Sequence, residues 1–394
     1  MPELAPQTEA EAVELIAAAM ADKTRMTIVG GGTRAGLGRP PEGDTLLSTK
    51  ALRGVTLYEP AEMVLGARAG TPLAEVEALL AAHGQRLAFE PMDHRPLLDS
   101  TGEPSLGAIA ACNVSGPRRV TVGAARDHLV GVRFINGRGE AVKSGGRAMK
   151  NVTGLDLVKL SAGAFGTLGL LTEVVFKVMP VPETTDTLVF SELADDVALR
   201  LLGGAMASPF EVTGAAHLPA GTGGPAARTL LRLEGFSASL AYRAERLRML
   251  FAEHGAADLL QGDAALALWR SIRDVTVLAE PRTDEIWRVH VAPSKGAAFM
   301  RALGEGPAFR HYFDWAGGLI WLAAPASADA AARIRAATAP LNGHAMLVRA
   351  AAARRAEVEV FEPLAGPLMR LTAGIKASID PDGIFNFGRM YRGL

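Results

Sequence analysis

The residues with the most chemical promise form one short run, Val29-Gly30-Gly31-Gly32-Thr33-Arg34-Ala35-Gly36, directly after the apolar segment Met26 to Val29. Successive glycines let backbone N–H groups approach an anion with no Cβ in the way. A diphosphate is the usual anion for such a turn, although the same pattern also makes an ordinary tight turn. Two standard phosphate motifs are excluded. No Gly-Lys-Ser/Thr closes the run as a Walker loop requires, and the third glycine of a G-x-G-x-x-G fingerprint is missing at its spacing. Pro40-Pro41 also argues against a long helix after the turn. A nicotinamide dinucleotide in a Rossmann crevice is therefore disfavoured.

Other chemistries leave fewer traces. The eight histidines, His83, His94, His128, His217, His254, His290, His311 and His344, never fall at i, i+3 or i, i+4, the spacing that puts two metal ligands on one helix face. Cys112 is the only cysteine, so an intrachain disulfide and a cysteine-ligated zinc or iron–sulfur centre are excluded. The balance of 41 basic against 42 acidic residues argues against a nucleic-acid binder. No apolar run approaches the ~18 residues of a membrane span, and the start of the chain lacks a secretory pattern. The expectation is a soluble cytoplasmic protein, at most peripheral on the inner face of the membrane through partners.

The elements that position these residues follow from periodicity. Thr8 to Asp22 predicts a helix capped by Thr8 with Glu11, with Val13, Ile16, Ala17 and Met20 facing inward. Met26 to Val29 and Met63 to Ala69 predict strands, and Pro72 to Gly84 a helix capped by Thr71 with Leu73, Val76, Leu79 and Leu80 inside. Asn136-Gly137-Arg138-Gly139 predicts a hairpin turn, and Leu171 to Val178 a strand closed by Pro180 and Pro182. A boundary is expected near 180–186. Beyond it, strands at 187–190, 211–217, 229–235, 286–291, 318–323 and 346–349 alternate with helices, suggesting split βαβ units. Phe309, Tyr312, Phe313, Trp315 and Trp321 read first as core of this part, with an interface anchor as the alternative.

Several segments, in order, then carry a resemblance. They are the Gly30 turn, Tyr58–Met63, Ala69–Leu73, Ser105-Leu106-Gly107 with Asn113-Val114-Ser115-Gly116, Arg126-Asp127-His128, Lys150–Gly154, Gly163–Gly169 and Asn386–Tyr391. Together they resemble the FAD-linked oxidases of the vanillyl-alcohol-oxidase / para-cresol-methylhydroxylase superfamily, and within it the FAD-binding E subunits of bacterial glycolate oxidases. The resemblance implies an α+β fold: a two-subdomain FAD-binding domain at 1–182, an α+β cap at 183–375, and a closing segment at 376–394 that returns to the FAD-binding domain.

It also implies roles. Gly30, Gly31, Gly32, Thr33 and Gly36 would meet the diphosphate. Ser105, Gly107, Asn113, Ser115 and Gly116 would form a second wall, and Gly163, Gly166 and Gly169 would let backbone pass the adenosine half. Asn386 and Arg389 would close the site, Arg389 as a cation beside flavin or phosphate. The turn carries no His, and Cys112 reads as a small apolar residue, so FAD is expected to be non-covalent. No catalytic residue is assigned; His290 and Arg389 are weak candidates, His311 like His290 reads first as a satisfied cap-strand histidine with a base role as the alternative, and Arg118-Arg119 is an anion contact or a solvated pair. The implied function is flavin-mediated electron transfer in a complex oxidising a small 2-hydroxy acid such as glycolate. Partners would be a larger FAD-containing subunit and an iron–sulfur subunit. The alternatives are a free-standing FAD-dependent alcohol or sugar-acid oxidoreductase and a non-catalytic scaffold subunit.

Overall fold

The computed structural model describes residues 1–146, 155–304, 309–327 and 329–394. The segment Lys150–Gly154, which carries part of the resemblance, lies outside the described residues. The chain divides into two compact units. Met1–Ser115, Gly123–Val181 and Arg355–Leu394 make the first, and Gly116–Val122 with Pro182–Arg354 make the second.

The chain re-enters the first unit at Arg355, where Arg39 donates to the carbonyls of Arg355, Ala356 and Val358. Gly116–Val122 goes to the second unit, where Trp315 donates to the Gly116 carbonyl and Arg118 pairs with Glu234.

Among the described residues the first unit holds three sheets, one of them only the short antiparallel pair Gln85–Arg86 with Met179–Pro180. In a small parallel one, strand Thr45–Ser48 lies between Glu3–Leu4 and Met26–Val29. The helix Glu9–Asp22 covers it. Thr8 accepts from the Glu11 N–H and Glu11 accepts from the Gln7 N–H, a reciprocal cap that satisfies donors the helix leaves open. Its fully buried line is Ala12, Ile16 and Ala19, with Val13 and Met20 only flanking it. The face is thus rotated from the expected one: the alanines make the closest approach, and the larger side chains lie beside it. Ile135, Leu170, Ile384 and Phe385 complete this core.

The second sheet is antiparallel, in the order Val55–Glu59, Val64–Arg68, Leu170–Lys177, Leu129–Ile135, Ala141–Gly145. Val132, Phe134, Val174 and Phe176 are among its buried apolar residues. The hairpin at 136–140 closes because Asn136 Oδ1 accepts from the Arg138 and Glu140 N–H groups.

The second unit is one eight-stranded antiparallel sheet. Its elements spell β-α-β-β-α-β twice. The first copy runs Thr184–Ser191, helix Asp195–Ala207, Gly214–Leu218, Arg228–Gly235, helix Ser237–Leu250, Asp258–Gln261. The second runs Glu285–His290, helix Gly296–Leu303, Arg310–Asp314, Leu319–Ala324, helix Ala330–Thr338, His344–Arg349. The copies join edge to edge at His217 and Phe313. Split βαβ units were expected; the duplication was not. Tyr312, Phe313 and Trp321 are core here.

A glycine-lined cleft as the candidate cofactor site

Strand Met26–Val29 ends at the floor of a cleft of about 690 Å3 in the first unit, counted to its open mouth. The turn Gly30–Ala35 forms one lip. Gly107, Ala108, Ala111 and Cys112 of the helix Leu106–Cys112 form another, and Gly166, Asn386 and Arg389 the remainder. Two glycines are demanded by geometry. A Cβ on Gly31 would overlap the Glu103 carbonyl, so only glycine lets the turn pass there. Gly32 has φ +82°, and a Cβ on it would meet no protein atom within 4 Å. It would project into free space at the rim of the cleft.

Several polar groups at this cleft lack protein partners. The N–H groups of Gly30, Gly31, Gly32 and Thr33 reach no protein acceptor among the described residues. Ser105 Oγ, packed against Gly30, is buried and unpaired. Arg34 and Arg389 are 4% and 6% exposed. Arg34 donates Nη2 to the Met92 carbonyl, 3.0 Å, but its Nε and Nη1 are unpaired. Arg389 donates Nη2 to the Arg34 carbonyl, 3.1 Å, leaving Nε unpaired. Burial pushes both guanidinium pKa values down.

A buried cation costs several kcal/mol unless an anion answers it. Four free amides and two under-partnered guanidiniums therefore call for a multiply charged anion, and a diphosphate fits. Asn386 anchors the far side: its Oδ1 accepts from the Ile28 N–H at 2.8 Å and its Nδ2 donates to the Phe165 carbonyl at 2.7 Å.

Comparison with known proteins decides the family. Residues 3–145 match the FAD binding domain family. Over 383 residues the chain is 33% identical to glycolate oxidase subunit GlcE of Escherichia coli (strain K12), covering 97% of each chain. The chain belongs to the GlcE family. Its cofactor is FAD, and it is an FAD-linked oxidoreductase by descent. This GlcE-family chain is also 29% identical to glycolate oxidase subunit GlcD of Bacillus subtilis (strain 168), over 38% of its own length and 30% of the relative's. Its fold is that of 4-ethylphenol oxidase from Gulosibacter chungangensis, with a TM-score of 0.72 at 13% identity over 99% of this chain and 88% of that one. The α+β class and the FAD-linked oxidase architecture implied by the resemblance are thus established.

Not every residue expected to touch the cofactor lines the cleft. Gly30, Gly31, Gly32, Thr33, Gly107, Gly166, Gly169, Asn386 and Arg389 do. Gly36 lies behind the turn, facing Leu98. Asn113 ends the helix Leu106–Cys112 in a left-handed conformation, its Oδ1 accepting from the Arg126 N–H. Ser115 Oγ accepts from the Ala125 N–H. Both side chains thus brace a turn. Gly116 lies in the second unit, and Gly163 borders a separate cavity with Lys159 and Tyr391.

Three further residues resolve differently. Arg118 makes a two-pronged, nearly buried ion pair with Glu234. His311 Nε2 donates to the Asp195 carboxylate at 2.9 Å, and His217 Nε2 lies 3.3 Å from the same carboxylate. His290 Nε2 accepts from Arg288 Nε, so that lone pair is not free to take a substrate proton. Arg34 is the residue that sequence reasoning passed over. An arginine inside a glycine turn reads as solvated, and only its burial shows otherwise.

Proposed function

We propose that this chain is the FAD-carrying subunit of a complex that oxidises glycolate or a related small 2-hydroxy acid, and that it relays electrons within that complex. The observation that carries the reading is the cleft: unpaired amides of Gly30–Thr33 facing the same space as the buried, under-partnered Arg34 and Arg389. When bound, FAD supplies two-electron acceptance and one-electron release. The chain's own part is to hold and orient it. Gly30–Thr33 donate to the diphosphate, Arg34 and Arg389 offset its charge, and Ser105 Oγ offers a further hydrogen bond. The apolar wall of Ile28, Ala69, Ala108 and Leu171 keeps water from the floor.

FAD is held without a covalent link in this reading. The cleft lining has neither His nor Tyr among the described residues. Its one thiol, Cys112, is pushed up in pKa by burial, which outweighs the nearby Arg34 and Arg389 charges. A protonated thiol is a poor nucleophile. The partners in this reading are a larger flavin subunit and an iron–sulfur subunit; the relatives named as glycolate oxidase subunits support partner subunits as such. A single cysteine leaves any cluster to another chain. Localisation follows the partners: among the described residues no helix is long and apolar enough to cross a membrane.

The test is purification of the chain alone and with its co-purifying proteins. Flavin absorbance on the isolated chain, released to the supernatant by acid precipitation, is expected. Colour left on the pellet would refute the non-covalent link. Reduction of the flavin by glycolate is expected to be fast only with the partners present. Equally fast reduction of the isolated chain would replace this reading with a free-standing oxidoreductase, and no flavin uptake would replace it with a scaffold.

A further inference from the structure

The second unit carries a cluster of cationic and imidazole side chains around one arginine, Arg288, that meets no carboxylate among the described residues. Arg288 and His290 sit two residues apart on strand Glu285–His290, so their side chains share one face of the sheet. On the flanking strands Trp321 stands opposite Arg288, and His344 opposite His290. Trp315 lays its indole against the group. Its ring centre is 5.3 Å from that of His290, 4.5 Å from the Arg119 guanidinium carbon and 5.7 Å from that of Arg288. Trp315 Nε1 donates to the Gly116 carbonyl at 3.1 Å, which fixes the indole as a platform beside the two cations.

Neighbouring arginines of this unit meet carboxylates: Arg118 with Glu234, Arg310 with Asp284, Arg354 with Glu285. Arg288 does not. It gives Nε to His290 Nε2 at 2.9 Å, and among the described residues its Nη1 and Nη2 donate to no protein acceptor. Burial and the charge of Arg119 both push its pKa down, to about 10, with no acid opposing them. Burial, then Arg288, His344 and Arg119, hold His290 well below the usual histidine range. A neutral imidazole is therefore the acceptor, and it aims the guanidinium without adding charge. A like-charged pair with one aimed fork left open is unfavourable by itself and favourable around an anion. The planar fork matches a carboxylate in two-pronged geometry.

We propose that Arg288 and Arg119 form a carboxylate-binding site on this sheet face, with His290 as the positioning residue for Arg288. The ligand class is a small 2-hydroxy acid. That identification rests on the function proposed above, whereas the anion site rests on the second unit alone.

The test uses oxalate as an unreactive probe, titrated calorimetrically into the full chain with and without FAD. Wild type is expected to bind oxalate more tightly than inorganic phosphate. Arg288→Gln should weaken oxalate at least about tenfold, the usual loss for one charge-assisted pair. Arg288→Lys keeps the charge but not the fork and should fall between. His290→Gln retains an acceptor for Arg288 Nε and should stay near wild type, whereas His290→Leu should lose affinity severalfold. That split between two neutral replacements is one a merely structural histidine would not produce. Undetectable oxalate binding, equal affinity in Arg288→Gln and Arg288→Lys to wild type, or tighter binding of phosphate than of oxalate would each overturn the site. Arg288-dependent oxalate binding by a chain that takes up no flavin would support the site and refute the flavin function, so the two failures are distinguishable.

Discussion

At the scale of single residues, the cleft is governed by cations that the protein leaves incompletely satisfied. Arg389 is the clearer case, since its Nε is buried and unpaired while its Nη2 reaches only a carbonyl. Removing such a charge should not destabilise the FAD-free chain; replacing a buried ion by an apolar group of similar shape is often neutral or stabilising. It should weaken the cofactor. Arg389→Met is expected to raise the FAD dissociation constant at least about tenfold, a loss of ~1.5–3 kcal/mol for one charged hydrogen bond. The melting temperature without FAD should hold or rise. Fluorescence titration and thermal melts check both, and an unchanged FAD affinity would remove Arg389 from the site. The residue itself was legible from sequence, as part of the Asn386–Tyr391 segment. Arg34 was not, because residue type says nothing about burial. Asn113 and Ser115 show the converse: their types suit a ligand, but the local backbone uses their acceptors first.

At the scale of elements, the closing segment depends on one buried pair. Lys376, near the end of helix Gly366–Ile379, donates to Asp380, to the Thr167 carbonyl at 2.6 Å and to the Phe385 carbonyl at 3.0 Å. Asp380 accepts from the Ile384 and Phe385 N–H groups, both at 3.0 Å. The chain then runs beside strand Met26–Val29, with Met26 donating to the Ile384 carbonyl and Asn386 donating to the Met26 carbonyl. Asn386 and Arg389 thus reach the cleft because Lys376 and Asp380 fold the segment back. Lys376→Met should strand the 1%-exposed Asp380 carboxylate and cost about 3–5 kcal/mol. FAD affinity should fall with it. Adding Asp380→Asn removes the stranded charge and keeps an acceptor, so the double variant should recover part of the loss in a denaturant melt. If the double variant is less stable than Lys376→Met, the clip is not what holds the segment. Helices with long periodic patterns were legible here, such as Glu9–Asp22. The helix Leu106–Cys112 was not: it is seven residues long and opens on Ser-Leu-Gly, which reads as a turn. Gly107 is there because Ala69 packs where a side chain would stand, a tertiary contact without a local signature.

At the scale of the whole molecule, the doubled β-α-β-β-α-β of the second unit was not legible in the sequence. Its copies share a sequence of elements rather than of residues, and strands such as Asp258–Gln261 and Arg310–Asp314 are short and polar at both ends. The residues lining the cleft all belong to the first unit. A ligand that binds one folded unit stabilises that unit by mass action, about 2.7 kcal/mol at a hundredfold excess over its dissociation constant. Calorimetric unfolding of the isolated chain is therefore expected to resolve into two transitions. FAD should move one of them upward and leave the other in place, while oxalate should act on the transition that FAD leaves. The assignment can be made independently, since Lys376→Met should lower the FAD-sensitive transition and Tyr312→Phe, which loses the buried hydrogen bond to the Ile272 carbonyl, should lower the other. A single transition that FAD shifts as a whole would mean that the units unfold as one, and that the cleft draws on the stability of the entire chain.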